Sequence, residues 1–240
     1  MRQENVYSFA DIPVSISHEH AYLAKQCKDY SSEQEPLFNL NITEQDIACE
    51  RARAEHPNAP DPYLESLACY RKFCERAVFE RVLLFHCSAI AVDGIAYLFA
   101  APSGTGKSTH TALWRRIFGD RAVMINDDKP LLRLSQQEVV VYGTPWDGKH
   151  HLSNPISAKV GGICLLSRAK ENSITRISPN DALVRLLGQT FRPDSVEGTA
   201  QMLQLVIDLA NRVPLWSLGC NISEDAAWLA YRSMNKEITL

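Results

Sequence analysis

Several features that would place a chain in a class at once are missing from this sequence. Its seven cysteines (Cys27, Cys49, Cys69, Cys74, Cys87, Cys164, Cys220) contain no Cys-x-x-Cys pair. Several lie in apolar or helical stretches, so neither a zinc centre nor a disulfide framework is expected. There is no excess of cations: 25 Lys and Arg against 28 Asp and Glu give a net charge of −3. Nothing is left over to displace counterions from phosphates, and there is no polybasic stretch for an anionic membrane, so neither nucleic acid nor membrane is an expected partner. The opening MRQENVYSFAD has no apolar core of a secretory leader, and the expected compartment is the cytoplasm. No internal repeat or low-complexity tract occurs. What remains, 240 residues with 45% hydrophobic and 22% charged content, excludes disorder throughout and suits one large α/β domain with or without a small appendage.

One stretch, VLLFHCSAIAVDGIAYLFAA at 82–101, approaches membrane-span length. It is interrupted by His86 and by Asp93-Gly94, a strong type I′ hairpin signal. It reads as two buried strands, about 82–92 and 95–100, folded back on each other. Upstream, residues 5–16 and 37–42 read as short strands around a polar segment. Thr43 followed by Asp46 reads as an N-cap opening a helix over about 44–55. A loop with Pro57, Pro60 and Pro62 follows, then a helix over 62–81 with Pro62 in its first turn. Residues 1–81 are taken as an N-terminal appendage and 82–240 as the main domain. Within the latter, helices are expected at about 108–118, 179–189, 198–211 and from Ser223. Strands are expected at 122–126, 130–134, 138–142, 160–167, 173–177 and in VPLWSLG. Met202, Leu203, Leu205, Val206 and Leu209, with Trp216 and Trp228, are assigned to the core.

Residues 101–108, Ala-Pro-Ser-Gly-Thr-Gly-Lys-Ser, fit the phosphate-loop pattern with Ala in place of the first Gly. Gly104 and Gly106 let the backbone wrap so that consecutive N–H groups converge on phosphate oxygens, with the positive end of the next helix aimed at the same place. Lys107 would reach the β- and γ-phosphates and the Ser108 hydroxyl would ligate Mg²⁺. The expected nucleotide-binding set is Ser103, Gly104, Thr105, Gly106, Lys107, Ser108 and Thr109. The strand entering this loop is joined by a tight turn to the strand before it, so those two run antiparallel and the sheet is mixed, unlike a doubly wound plan.

Asp127 and Asp128 end the apolar strand AVMIN. An acid at such a strand end is where a phosphate-loop enzyme holds its metal. Successive side chains diverge, so one Asp can hold Mg²⁺ while the other faces an acceptor hydroxyl as base; which does which is left open. A lone His in LLFHCSA is ordinarily a core residue, but antiparallel pairing across Asp93-Gly94 sets His86 beside residue 101, at the mouth of the loop. In GTPWDGKHH, Lys149 is expected to stabilise charge on a transferring phosphoryl group, or its loop to grip the acceptor, while His150 and His151 read as surface. Arg192, in QTFRP, reads either as a charge clamp at the site or in a neighbouring subunit, or as surface or helix-end capping.

His86, the Asp-Gly hairpin, Ser-Gly-Thr-Gly-Lys-Ser and Asp127-Asp128, in that order, resemble the HPr kinase/phosphorylase family over about residues 83–135 and, behind it, the nucleotide-binding fold of phosphoenolpyruvate carboxykinase. The chain differs from that family's usual pattern at Cys87, Thr109 and Lys129-Pro130. The resemblance implies an α/β fold: a mixed-sheet phosphate-loop domain of the carboxykinase-like type with a small α+β appendage. It also implies an ATP- and Mg²⁺-dependent kinase that phosphorylates a serine hydroxyl on a protein or peptide. His86 would contact the transferred phosphoryl group, and one Asp would act as base while an acid assists the metal. Two other functions fit the same residues: a kinase of a small molecule such as free serine or a sugar, and a sensor that holds ATP without transferring it. A homo-oligomer is compatible with each.

Overall fold

The computed structural model describes residues 2–53 and 58–235, and the chain divides into two compact units, residues 1–80 and 81–240. Residues 54–55 of the expected second helix and Pro57 lie outside the described residues.

In the first unit, β1 (Gln3–Phe9) and β2 (Ile12–His18) form an antiparallel hairpin, and β3 (Phe38–Asn41) adds in parallel to β2. The single strand expected over 5–16 is therefore two. The turn falls at Ala10-Asp11, both with positive φ (51° and 58°), without the glycine that announces such a turn in sequence. The short helix α1 (Ala21–Gln26) was not foreseen, because its six residues have no side-chain N-cap. The buried Glu65 does that work from a distance, accepting from the N–H groups of Glu19 (2.6 Å) and His20 (3.0 Å). Helix α2 (Glu44–Arg53) opens on a reciprocal cap: Asp46 N–H donates to Thr43 Oγ1, and Thr43 N–H to Asp46 Oδ2. Helix α3 (Asp61–Ala77), with Pro62 in its first turn, ends four residues earlier than expected and continues as a single 3₁₀ turn over Val78–Glu80. Its Phe73 meets Phe9 edge-on at 5.3 Å in the centre of this unit.

The second unit is built on one mixed sheet. Its strands are β4 (Val82–Leu84), β5 (Cys87–Val92), β6 (Ile95–Ala100), β7 (Ala122–Asn126), β8 (Leu131–Leu134), β9 (Val139–Tyr142), β10 (Ser157–Arg168), β11 (Ser173–Arg176) and β12 (Leu215–Cys220). The order is β4-β8-β9-β10-β6-β5-β7, with β12 parallel to the second half of β10 and β11 antiparallel to β12. Strands β5 and β6 pair antiparallel across Asp93-Gly94, and β6 and β10 run parallel, so the sheet is mixed. The strand expected over 82–92 is broken at Phe85-His86: β4 pairs with β8, β5 with β6 and β7.

That break fixes the shape of the sheet. Leu84 and Cys87 belong to strands five positions apart in the order, about 24 Å in a flat sheet. Three residues of chain span at most about 11 Å. The sheet must curl until its two ends meet. Residues 127–130, which join β7 to β8, cross the same seam in the other direction.

Helices α4 (Lys107–Phe118), α5 (Pro179–Leu187), α6 (Val196–Arg212) and α7 (Glu224–Asn235) complete the unit. Ser178 and Ser195 cap α5 and α6, accepting from the N–H groups of Asp181 and Gly198. Trp114 of α4 is fully buried, its ring 5.0–5.7 Å from those of Tyr97, Phe99, Phe118 and Tyr231. Two residues expected in the core are not: Leu203 and Trp228 are 40% and 36% exposed, the latter lying 5.2 Å from the Phe118 ring in a T-shaped contact. The seven cysteines are free. No described helix is long and apolar enough to cross a membrane.

Candidate functional site

The register of the sheet brings the chemistry-bearing residues to one rim. Cys87 at the start of β5 faces Ala100 at the end of β6, Asn126 at the end of β7 faces Ala89, and Leu165 of β10 faces Ala100. His86, the loop after β6, the acidic pair after β7 and the end of β10 therefore share that rim. The His86–Asp128 contact forms where the two seam-crossing connections meet.

The Pro102–Gly106 loop turns through two glycines of positive φ, Gly104 (74°) and Gly106 (123°), and leads into α4 at Lys107. The N–H groups of the first turn of a helix have no intrahelical acceptor, so Lys107 and Ser108 present theirs at the rim. Lys107 is 7% exposed and its Nζ donates to Ala101 O (2.9 Å), closing the loop on itself. Burial lowers the Lys107 pKa, and the charge of Asp128 opposes that shift. Ser103 and Gly104 are exposed, and Thr105, Gly106 and Ser108 half-buried.

Asp128 is the electrostatic centre. His86 Nε2 lies 3.1 Å from its Oδ1 and Lys129 Nζ 2.7 Å from its Oδ2. Burial by itself would raise the carboxyl pKa; the hydrogen bond from His86 and the charge of Lys129 outweigh it and hold Asp128 well below the usual carboxylate range. An ionised carboxylate only accepts, so the His86 proton at this contact is on Nε2. Asp127 points elsewhere. It is 3% exposed, and its Oδ1 accepts from Gly148 N–H at 2.7 Å. A Cβ on residue 148 would sit 2.9 Å from Asp127 Oδ2, so a larger residue there would push the carboxylate from this position. The two adjacent acids thus diverge, although both lie just past the end of β7 rather than on it.

Residue 126 was read from sequence only as the last residue of a strand, and the structure gives it a larger part. Asn126 is fully buried. Its Oδ1 accepts from the N–H groups of Asp128 (2.8 Å) and Lys129 (2.7 Å), shaping the turn that splays the acids. Its Nδ2 lies 3.1–3.2 Å from Thr144 O, Thr144 Oγ1, Trp146 O and Ser153 Oγ. One amide thereby ties the acidic turn to the 143–156 loop, which has its own anchors: Trp146 is buried and Asn154 donates to Ile125 O and Met124 O. The signal available was the triplet Asn-Asp-Asp, since Asn accepts from the N–H two residues on in an Asx turn.

The remaining candidates are placed as follows. Lys149 is exposed and follows the glycine that bonds Asp127. His150 and His151 are exposed, with His151 Nδ1 3.1 Å from Asp147 Oδ1. Thr109 lies exposed on the first turn of α4. The QTFRP segment closes the seam: His86 N–H donates to Gln189 O and Phe191 N–H to Leu84 O. Arg192 itself is exposed, lining a cavity of about 470 Å³ with Pro193, Ser195 and Thr199. Among the described residues no cluster of three or more His, Cys, Asp or Glu side chains is arranged to hold a metal by itself.

Two further residues had not been singled out. Arg168 at the end of β10 reaches back to the loop, its Nη2 donating to Gly104 O (2.5 Å) and its Nε to Thr105 O (3.3 Å). His110, one turn into α4, stands edge-on to Phe99 at 4.6 Å, and its Nε2 accepts from Trp114 Nε1 at 3.1 Å. Burial pushes the His110 pKa down to about 4, so the ring is neutral and carries its proton on Nδ1, which has no partner.

No family model and no curated protein matches the sequence. Among solved structures the chain is similar to the Hpr(Ser) kinase/phosphatase from Coxiella burnetii, with a TM-score of 0.36 and 12% identity over 63% of this chain and 98% of that one.

Proposed function

We propose that this chain is a kinase that binds ATP with Mg²⁺ on the Ser103–Thr109 segment and transfers the γ-phosphoryl group to a hydroxyl, foremost a serine of a protein or peptide. The observation that carries the reading is the convergence at one rim of a glycine-turned loop with a buried lysine and two diverging carboxylates, one of them paired with a histidine. A pure nucleotide sensor has little use for that second acid.

The donor set suits the metal. Asp127 is nearly buried, and its Oδ1 takes one N–H while Oδ2 has no hydrogen-bond donor among the described residues. A buried carboxylate so sparsely satisfied is stabilised by a cation. Asp127 and the Ser108 hydroxyl are hard oxygen donors of the kind magnesium takes alongside phosphate oxygens. Bound there, Mg²⁺ would neutralise charge on the bridging phosphate oxygens.

The protein's own part is mostly positioning. The N–H groups at the start of α4 and the Lys107 ammonium receive the phosphates. Asp128, ionised throughout the neutral range and oriented by His86 and Lys129, accepts a hydrogen bond from the acceptor hydroxyl and takes its proton as the oxygen bonds to phosphorus. A carboxylate this acidic is a weak base, which phosphoryl transfer tolerates, because the loose transition state demands alignment and charge stabilisation more than early deprotonation. His86 Nε2–H and the exposed Lys149 would meet charge on the transferring group.

The test is incubation of the purified protein with γ-phosphate-labelled ATP, Mg²⁺ and a lysate of its own source, with Lys107→Ala as control. Label on a protein or peptide, lost in the variant, is the expected result. Label on a small metabolite would reassign the acceptor. ATP binding with no Lys107-dependent transfer to any fraction would overturn the kinase reading.

A further inference from the structure

Helix α6 is apolar on two faces. One holds it to the core, with Gly198, Met202, Leu205, Val206 and Leu209 buried. The last turns are fastened by Arg212, which donates to Ser135 O (2.7 Å), and by Asp208, which accepts from Arg81 Nη2 (2.6 Å). The other face points away from that core. Val196, Leu203 and Ile207 are 80%, 40% and 42% exposed, with Ala200 exposed between them, so Leu203 has no lid within its own chain. At about 100° per residue these four fall within an arc of about 60°. Between Glu197 and Asn211 the exposed residues are Ala200, Leu203, Gln204 and Ile207, none of them charged. Two other helices of this unit turn charge to solvent: α4 exposes Arg115 and Arg116, and α7 exposes Glu224, Asp225 and Arg232. An uncharged outer face over about three turns is what a helix carries when a second layer covers it.

The spacing says what the cover is. Positions 196, 200, 203 and 207 advance by four, three and four, the a/d interval of a left-handed helix pair. Two copies of α6 can be laid antiparallel with a two-fold axis between residues 201 and 202. Ala200 of each copy then faces Leu203 of the other, and Val196 faces Ile207. Each contact occurs twice, as an isologous interface requires, and the smallest side chain of the row meets a large one. An unrelated partner would have to supply that match independently; a second copy brings it by symmetry. Polar groups agree. Along one side of the seam Glu197 comes beside Gln204 of the second copy, whose amide can donate to it, and the two helix dipoles lie head to tail. We infer that the exposed face of α6 is a homodimer interface, formed by two copies of this chain in antiparallel register about residues 201–202.

The size of the face sets the strength. A helix of 17 residues is about 26 Å long, and one such pair covers less than the roughly 800 Å² per partner of a standard interface. The dimer is therefore reversible, with a dissociation constant on the order of micromolar.

Sedimentation velocity of the full chain, from about 1 to about 200 µM, reads the equilibrium. The wild-type chain is expected to pass from monomer to dimer across that range. Ala200→Lys and Leu203→Glu, both at exposed positions, are each expected to weaken dimerisation by at least about tenfold. The decisive sample is their equimolar mixture. In a mixed pair the new ammonium at 200 faces the new carboxylate at 203, and the other 200–203 contact keeps its native alanine and leucine. The mixture should dimerise at concentrations where neither variant does alone. A wild-type chain that is monomeric at the highest concentration overturns the interface, whatever else covers the face. Dimers that neither substitution weakens lie elsewhere on the surface and overturn it too. A mixture that stays monomeric while the wild type dimerises overturns the antiparallel register. Loss of helix in either variant, read by circular dichroism, would show the face to be packed within the chain and would also overturn the proposal.

Discussion

Replacing Asn126 by alanine removes an amide with two separable jobs, and the structure says which loss dominates. On the Nδ2 side the acceptors have other donors: Ser153 Oγ donates to Thr144 O at 2.6 Å, and Thr144 Oγ1 to Trp146 O at 3.1 Å. On the Oδ1 side the N–H groups of Asp128 and Lys129 have Asn126 as their acceptor. Two half-buried N–H groups left unpaired cost about 1–3 kcal/mol each. With the small void that remains, the expected loss is roughly 3–4 kcal/mol, or on the order of 10 °C in the melting temperature of the 81–240 unit. Asn126→Asp is the sharper variant. It keeps Oδ1 but sets a second oxygen against the oxygens of Thr144, Trp146 and Ser153, where a carboxylate has no proton to give. At neutral pH it should be at least as destabilising as alanine. It should recover as the pH falls, because the protonated acid regains one donor. Differential scanning calorimetry of the three proteins at pH 7 and pH 5 reads the ordering. Asn126→Asp within about 1 kcal/mol of wild type at pH 7 would refute the assignment of donor and acceptor sides, because an unpaired buried oxygen facing carbonyls cannot be that cheap.

Lys107→Ala should abolish phosphoryl transfer while near-UV circular dichroism stays that of wild type; transfer at the wild-type rate would remove the loop from the mechanism. Asp127→Asn should weaken Mg²⁺ dependence chiefly, whereas Asp128→Asn should lower kcat at saturating metal; identical titration curves for wild type and both variants would make the acidic pair structural. Stability on the acid side should carry the imprint of His110, whose pKa is pushed down from 6.5 to about 4. The unfolded chain binds the proton first, so this contribution is complete above about pH 6.5 and is lost as pH falls toward 4, about 3 kcal/mol in all. His110→Gln, which can still accept from Trp114, should flatten that part of the profile in urea titrations, and an unchanged slope would count against it. Gly143→Ala should be destabilised by several kcal/mol, since its Cβ would lie 1.8 Å from Asn154 O and 2.7 Å from Ile125 O; unchanged thermal melting would show that the 143–156 loop does not hold this position.

How far these residues can be read without coordinates depends on the range over which their cause acts. The hairpin at Asp93-Gly94, the cap at Thr43 and Asp46 and the wrap of the Pro102–Gly106 loop are set within a few residues, and they are legible. The antiparallel pairing of β5 and β6, read from the turn alone, gave the mixed sheet and put His86 near the loop. What escaped was set by contacts distant in sequence. Glu65 stands in for the missing cap of α1 from more than forty residues away. The break at Phe85-His86 is marked in sequence only by one histidine between two apolar stretches, because both halves are strands and hydrophobicity does not register a change of partner. Arg168 and Asn126 look like ordinary strand-end residues until the curl of the sheet brings their targets within reach. The exposed Trp228 and Leu203 illustrate the converse: an apolar side chain at helical spacing need not find a lid.

The segments that close the seam also shield the outermost strands. Beside β4, Phe191 N–H donates to Leu84 O and His86 N–H to Gln189 O; on β7, Asn154 occupies the carbonyls of Met124 and Ile125. Unpaired strand borders are templates on which other chains add, and proteins commonly block them with charge, proline or a covering loop. Here the blocking pieces are the very loops that carry Lys149 and Arg192. A variant engineered for a wider acceptor mouth by shortening 143–156 would thereby bare the β7 border, and its first symptom would be self-association of an otherwise folded protein.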